Sequence, residues 1–199
     1  MKFSSLTFCG LLVVLTLNVS CKKPIKTRAD LISYINNPQN GLKDTIEIGK
    51  IKAELIYKPW QLMAVNNGGI KAKTDQNELN KLKSKYFFVL SLSANNKELL
   101  RQIPFDTYSE MVQTLAFRMI PYISIVGGND KPRQPVDCIF LQTYGMSDAN
   151  QLLIAFDKPA VQSAKQLTIK IKEFGLNIGN LNFHFETKKI NELSTIAIN

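Results

Sequence analysis

The side chains suited to chemistry are few. The 199-residue chain holds three cysteines and one histidine. His184 is the single imidazole, and a serine or cysteine nucleophile would have to be held against it to act. Cys138, Ser147 and Ser163 are the residues that would have to meet it, and none is its neighbour in sequence. Paired carboxylates hydrolyse glycosides without histidine, and Asp130, Asp137, Asp148 and Asp157 fall in one stretch at loop or strand-end positions. One histidine and one spare thiol cannot complete a structural zinc site. Gly128-Asn129-Asp130 is too sparse in carboxylates for calcium. Gly127-Gly128 lacks the spacing of a phosphate-binding loop. No metal and no cofactor is expected, and catalytic residues are expected to be none.

Cys21 is the residue with the clearest chemistry. Met1-Lys2 is followed by an apolar run from Leu6 to Leu17. A membrane-spanning helix takes about 20 residues, so this run fits the apolar region of an export signal better than a spanning anchor. Two cleavage sites compete. Asn18 and Ser20 stand where an ordinary signal peptidase prefers small residues. Val19-Ser20-Cys21 is similar to the end of a lipobox, with Asn18 where leucine is usual and Leu17 one place further back. On that reading residues 1–20 are a lipoprotein-type signal peptide. Cys21 then becomes the first residue and carries a thioether-linked diacylglycerol, with an amide-linked acyl chain (palmitate-like) on its amine. One acyl chain holds a protein marginally and two or more hold it stably. Residues 21–29 form a basic tether, with Lys22, Lys23, Lys26 and Arg28 suited to anionic headgroups.

Bulk properties agree with one exported domain. Formal net charge is +9. That charge suits an anionic surface or an acidic partner. It is spread along the chain without a dense arginine cluster, so nucleic acid is not expected as a partner. Cys9 leaves with the leader and Cys21 is lipidated, so Cys138 has no partner for an intrachain disulfide. A buried thiol behaving as a small hydrophobe is the plain account of it.

Elements that could position these groups follow from periodicity. Ala29 to Ile35 reads as a helix with Asp30 as N-cap. Leu42 is expected to cover one end of the core. Ile46 to Tyr57 reads as a hairpin turning at Gly49-Lys50. Pro59 to Ala64 is a helical turn in which Trp60 either closes the core or offers a ligand platform. Asn66 to Gly69 is a turn. Asp75 to Lys85 is a charged helix, capped by Asp75 with Glu78, and Lys71, Lys73, Lys81, Lys83 and Lys85 make its surroundings basic. Tyr86 to Ser93 is expected as the central strand with both faces covered. Thr107 to Arg118 is a longer helix whose stripe is Tyr108, Met111, Val112 and Leu115. Phe117 lies off that stripe, which predicts cover on a second side. Strands follow over 120–126, 137–142 and 151–156. Leu167 to Ile171 and Leu181 to Glu186 close the chain as a hairpin, then a short helix over 188–193. His184 lies opposite Leu181, Phe183 and Phe185, on the solvent side. The sum is a single α+β domain over residues 30–199, with a mostly antiparallel or mixed twisted sheet of six to eight strands and a few packed helices. Irregular alternation argues against parallel winding.

Leu31 to Pro59 with its Asn40-Gly41-Leu42, Tyr86 to Asn96, Tyr144-Gly145-Met146-Ser147, Leu152 to Phe156 and Phe174 to Phe185 carry a likeness. The chain resembles a family of small, uncharacterised lipoproteins of Bacteroidetes, chiefly of Flavobacterium relatives. The resemblance implies a cell-envelope address and one domain. It brings no activity, ligand or catalytic residue. Surface-exposed lipoproteins of that group often carry acidic residues after the cysteine, and their lack here points to the outer membrane, facing the periplasm.

The leading expectation is a non-enzymatic envelope lipoprotein, anchored to the membrane by its lipid. It would serve as an accessory or protein-interaction module for an envelope protein or complex. It predicts a flat or protruding exposed patch. The alternative is a periplasmic ligand-binding lipoprotein for a glycan, lipid or peptide, which predicts a concave aromatic pocket. A hydrolase comes third. Candidate ligand or partner contacts are Trp60, Tyr57, Tyr122, Lys81 and Lys85.

Overall fold

The computed structural model describes residues 24–66, 76–128, 130–142, 146–158 and 163–198. The leader with Cys21, the Asn67-Gly68-Gly69 turn, the Asp75 cap, Lys71, Lys73 and the Tyr144-Gly145 turn lie outside these residues.

Helix α1 (Arg28–Asn36) starts one residue away from expectation. Thr27, not Asp30, is the N-cap. Its hydroxyl accepts from the Asp30 amide at 3.1 Å, and the Asp30 carboxylate accepts from the Thr27 amide at 3.0 Å. Asp30 is thus the third helical residue of a capping box, where it satisfies a donor that the helix start leaves open. Leu31 and Ile35 are its buried face. A 3-10 turn over Pro38–Asn40 then hands the chain to Gly41 at φ 65°, and Leu42 is fully buried as expected.

Strands β1 (Lys43–Ile48) and β2 (Ile51–Lys58) form the expected hairpin about Gly49 and Lys50. Helices α2 (Trp60–Asn66) and α3 (Gln76–Lys83) follow. Lys85 does not belong to α3. It opens β3 (Lys85–Ala94), which is the central strand. Tyr86, Phe88, Leu90 and Leu92 point inward with no exposed surface. The outer face of β3 is less closed: Phe87 is buried, while Val89 and Ser91 are half-buried. Short β4 (Lys97–Glu98) folds back on β3.

The sheet expected as one is two. The larger runs β1-β2-β3-β7-β6, with β6 (Asp137–Leu141) and β7 (Asn150–Asp157). The smaller runs β5-β8-β9, with β5 (Ile123–Gly127), β8 (Gln166–Ile171) and β9 (Leu181–Glu186). Every pairing is antiparallel. Each sheet has one apolar face, and burying both against each other leaves a single core. Phe88 of β3 meets Phe185 of β9 with ring centroids 5.1 Å apart. Tyr57 and Phe156 add edge-to-face contacts to Phe88 at 5.6 and 6.2 Å, geometry that suits aromatic quadrupoles. The sheets also touch edge to edge. The His184 amide of β9 donates to the Asp44 carboxylate of β1 at 2.9 Å.

Helix α4 (Phe105–Gln113) passes into one π-helical stretch over Thr114–Arg118. The wider turn lags behind α-helical rotation. Met111 and Leu115 therefore stay on the core side, and Phe117 swings to the far side. Phe117 is 85 % exposed, so the second cover expected for it does not exist among the described residues. Helix α5 (Thr187–Ser194) closes the end of the core with Ile190 and Leu193.

Candidate functional site

The residues suited to catalysis are kept apart. His184 is exposed on the outer face of the smaller sheet, its Nδ1 3.2 Å from the Thr168 hydroxyl. Cys138 is half-buried on β6 of the larger sheet and packs against the core. Burial, and then the charge of Asp137, push its thiol up to about 12. At neutral pH it is a thiol, not the thiolate that attacks. The Ser147 hydroxyl accepts from the Ala149 amide at 3.3 Å, and Ser163 is exposed.

The four aspartates are all exposed, and only Asp137 and Asp157 are neighbours, diagonal to each other across the β6–β7 pair. Asp148 precedes β7 and Asp157 ends it, which puts them about 30 Å apart by strand rise. Asp137 pairs near the Asp157 end, and Asp130 lies in the loop after β5 of the other sheet. Asp157 is taken up by Lys85 at 2.9 Å. Among the described residues there is no group of three or more His, Cys, Asp or Glu placed to hold a metal.

The candidate contact residues divide between the two ends of the molecule. Trp60 is half-buried. Its indole N–H donates to the Ser194 carbonyl at 3.0 Å, and the Lys83 ammonium lies 4.9 Å from its ring centre. It helps to close one end of the core, with a cation beside its ring. Lys81 is exposed on α3, and Lys85 stands close by at the head of β3. Tyr57 departs from expectation. It is 1 % exposed and stacked among Tyr86 and Phe88. Burial, then Tyr86, raise its hydroxyl well above the ordinary phenol range. It is a core residue because it sits on the inward-facing alternation of β2, and no ligand reaches it.

Tyr122 belongs to a groove. Pro121, Tyr122, Ser124, Gln134, Lys170, Lys172 and Asn182 line a cavity of about 720 Å³. Ser124, Lys170 and Asn182 are register partners across the outer face of the smaller sheet. Tyr122 is fixed edge-to-face on Phe174 at 6.3 Å. Sequence reasoning had Tyr122 but not its neighbours, because only strand register brings Ser124, Lys170 and Asn182 into one row.

Two further features were not foreseen. Phe105 is 93 % exposed and Tyr108, one turn on, is also exposed. Phe117, on the π-helical extension of α4, is a third, so one continuous helix carries three exposed aromatic side chains, here called its aromatic ridge. The position of Phe117 off the helical stripe was the one signal of it. The second feature is the loop between β8 and β9. The Glu173 carboxylate accepts from five backbone amides, Gly175 through Gly179, at 2.6 to 3.0 Å.

No protein-family model, curated protein or solved structure matches the chain.

Proposed function

We propose that the protein is a lipid-anchored envelope protein that docks on another envelope protein through the ridge of Phe105, Tyr108 and Phe117. The ridge is the observation that carries this reading. Aromatic side chains of this size are enriched at the buried centre of protein interfaces. Leaving Phe105 and Phe117 in water forgoes roughly 1.5–3 kcal/mol each. Exposed aromatic groups on one helix suit an interaction module, and the anchor at Cys21 would keep it at the envelope. The family resemblance, to small Bacteroidetes lipoproteins, supports the same address.

The test is photocrosslinking in the membranes of the native cell. A benzophenone amino acid replaces Phe117 in one strain and the exposed Lys50 in another. One discrete adduct from position 117, absent from position 50 and lost on Phe105→Ser, is expected. The same adduct ladder from both positions would sink the reading.

The groove at Tyr122 favours a second reading, capture of a small polar ligand such as a glycan or peptide. Its aromatic wall, amides and two lysines suit hydroxyl- or carboxylate-bearing groups. Titration with envelope glycan fragments, read by Tyr122 fluorescence or amide shifts of β8, checks it. Shifts confined to Ser124, Lys170 and Asn182 would support it, and no change at millimolar ligand would remove it.

A further inference from the structure

Positive charge gathers where β2 ends and the described chain begins. Helix α1 packs against β2, and Lys58 is lowered by its partial burial and then by the charge of Arg28. Two residues on, Trp60 carries Lys83 over its ring. Lys81 is exposed on the same short helix. Lys58 is opposite Phe87 in the β2–β3 register, and Lys85 opens that strand opposite Asp157. Lys158 comes next, its ammonium 5.3 Å from the Tyr86 ring centre. Nearby acids offset part of it. Asp157 pairs with Lys85, and Asp30 is used by the α1 cap. Glu78 on α3 and Asp137 on β6 are the exposed carboxylates left at this end, and Glu54 of β2 is held by Lys43.

The tether leaves from this end and is short. Ile25 already packs against the core, three residues before α1 begins. Cys21 is four residues from that fixed point, a span of about 14 Å at full extension. The Debye length at physiological salt is about 8 Å. An acylated Cys21 thus keeps Ile25 within about two Debye lengths of the headgroups even at full extension, and closer when the tether is slack. The aromatic ridge lies elsewhere. Helix α4 follows the turn at Leu99–Arg101, where the Leu100 amide binds Asn150 at the opposite end of β7. That separation is roughly 25 Å along the strand.

We propose that this end is a membrane-contact face, on which Arg28, Lys58, Lys81, Lys83 and Lys158 rest against anionic phospholipid headgroups and turn the start of α4 away from the bilayer. The inference rests on the reading of Cys21 as the lipid anchor. The lipid would hold the protein at the bilayer, and the lysines would set which way it stands.

The test uses protein purified from native membranes and reconstituted into vesicles of phosphatidylcholine, with or without about one third phosphatidylglycerol. Brief acetylation followed by mass spectrometry reads each lysine. Labelling of Lys81 and Lys83 is expected to fall about fivefold in the anionic vesicles. Lys97, at the opposite end, is expected to be unchanged. Salt at roughly 0.5 M, which about halves the screening length, should restore much of the labelling. A second variant, Lys81→Glu with Lys83→Glu on the exposed face of α3, should unmask Lys26 in the same vesicles. Equal labelling of Lys81, Lys83 and Lys97 in both lipids overturns the proposal. Failure of the anchor reads differently. The protein would then not float with neutral vesicles. Salt-sensitive binding of that unacylated chain to anionic vesicles, with Lys81 and Lys83 protected, would still support the face, and no binding would overturn it.

Discussion

Replacing Glu173 by glutamine tests how the smaller sheet is closed. Glu173 follows β8, and its carboxylate sits inside a ring of backbone amides. One oxygen accepts from Gly175, Leu176 and Asn177, the other from Ile178 and Gly179. Such a concave run of N–H groups is an anion-binding nest. Its backbone is held open by Gly175 at φ 113°, Asn177 at φ 56° and Gly179 at φ 72°. Partial burial alone would push the carboxyl up. The backbone donors together outweigh that and hold it below the usual carboxylate range.

Glutamine keeps one acceptor oxygen and turns the other into a donor facing two amides. Two charge-assisted bonds are lost, and the other three weaken to neutral ones. Hydrogen bonds to charged groups contribute about 1.5–3 kcal/mol each when sheltered. This loop is largely open to water, which replaces part of that. Glu173→Gln is therefore expected to cost about 1–2 kcal/mol, and Glu173→Ala about 2–3 kcal/mol. Urea unfolding monitored by circular dichroism gives the global number, and hydrogen exchange at 176–179 reports the loop itself. The sign with pH follows from the depressed carboxyl. The stabilisation is fully present above the unfolded carboxylate range, about pH 4–5. It is lost as pH falls through the lower folded value. The gap between wild type and Glu173→Gln should thus close in acid. An unchanged urea midpoint at neutral pH, or a gap that stays constant into acid, refutes the reasoning.

Other perturbations have sharper locations. Phe88→Ala removes the ring where both sheets meet, fully buried among Tyr57, Phe156 and Phe185, and should cost about 3–5 kcal/mol in urea unfolding. Alkylation of Cys138 by iodoacetamide near pH 8 should run at least about a hundredfold slower than a model thiol and reach the model rate in denaturant; a normal rate in the native protein would contradict its raised value and half-burial. Gly41→Ala should lower stability by about 1 kcal/mol through its positive φ. The added methyl would meet the Lys189 ammonium at 2.8 Å, but that is the tip of a flexible side chain. A matching loss in Gly41→Asn, which tolerates this backbone, would point to crowding instead.

The local elements were legible because each obeys one period. Tyr86 to Ser93 and Leu181 to Glu186 announce their strands by alternation and composition, and the aligned burial bears them out. The failures have physical causes. Alternation says which residues of β9 face inward, but not which sheet they face. The split into two sheets follows from closing the core, where Phe185 finds Phe88 nearly a hundred residues away in sequence. Asp30 has the chemistry of a cap, and so does Thr27. Only the extended backbone at Thr27 decides between them. Tyr57 has the type of a ligand contact, but its inward parity in β2 places it in the core. Phe117 was visibly out of phase, and two explanations fit: a second covering layer, or a shift in helical phase. The π-helical turn is the second.

Position in the fold, more than residue type, governs the candidate surfaces. Lys58, Lys83 and Lys158 come from three separate parts of the chain, so their cluster has no sequence motif. It arises because antiparallel strands return the chain to the same end on every second pass. β2 ends there, β3 starts there, and β7 ends there. The same rule sends Leu99, Asn150 and the start of α4 to the other end. An antiparallel sheet thus sorts the chain into two poles, and here one pole is basic beside the tether while the other leads into an exposed aromatic helix. If the tether is acylated, the two poles differ in their distance from the bilayer by about the length of β7. The anchor and the ridge then bear on each other: lengthening the tether should loosen orientation without weakening the ridge, and removing the aromatic groups should abolish docking without altering lysine protection.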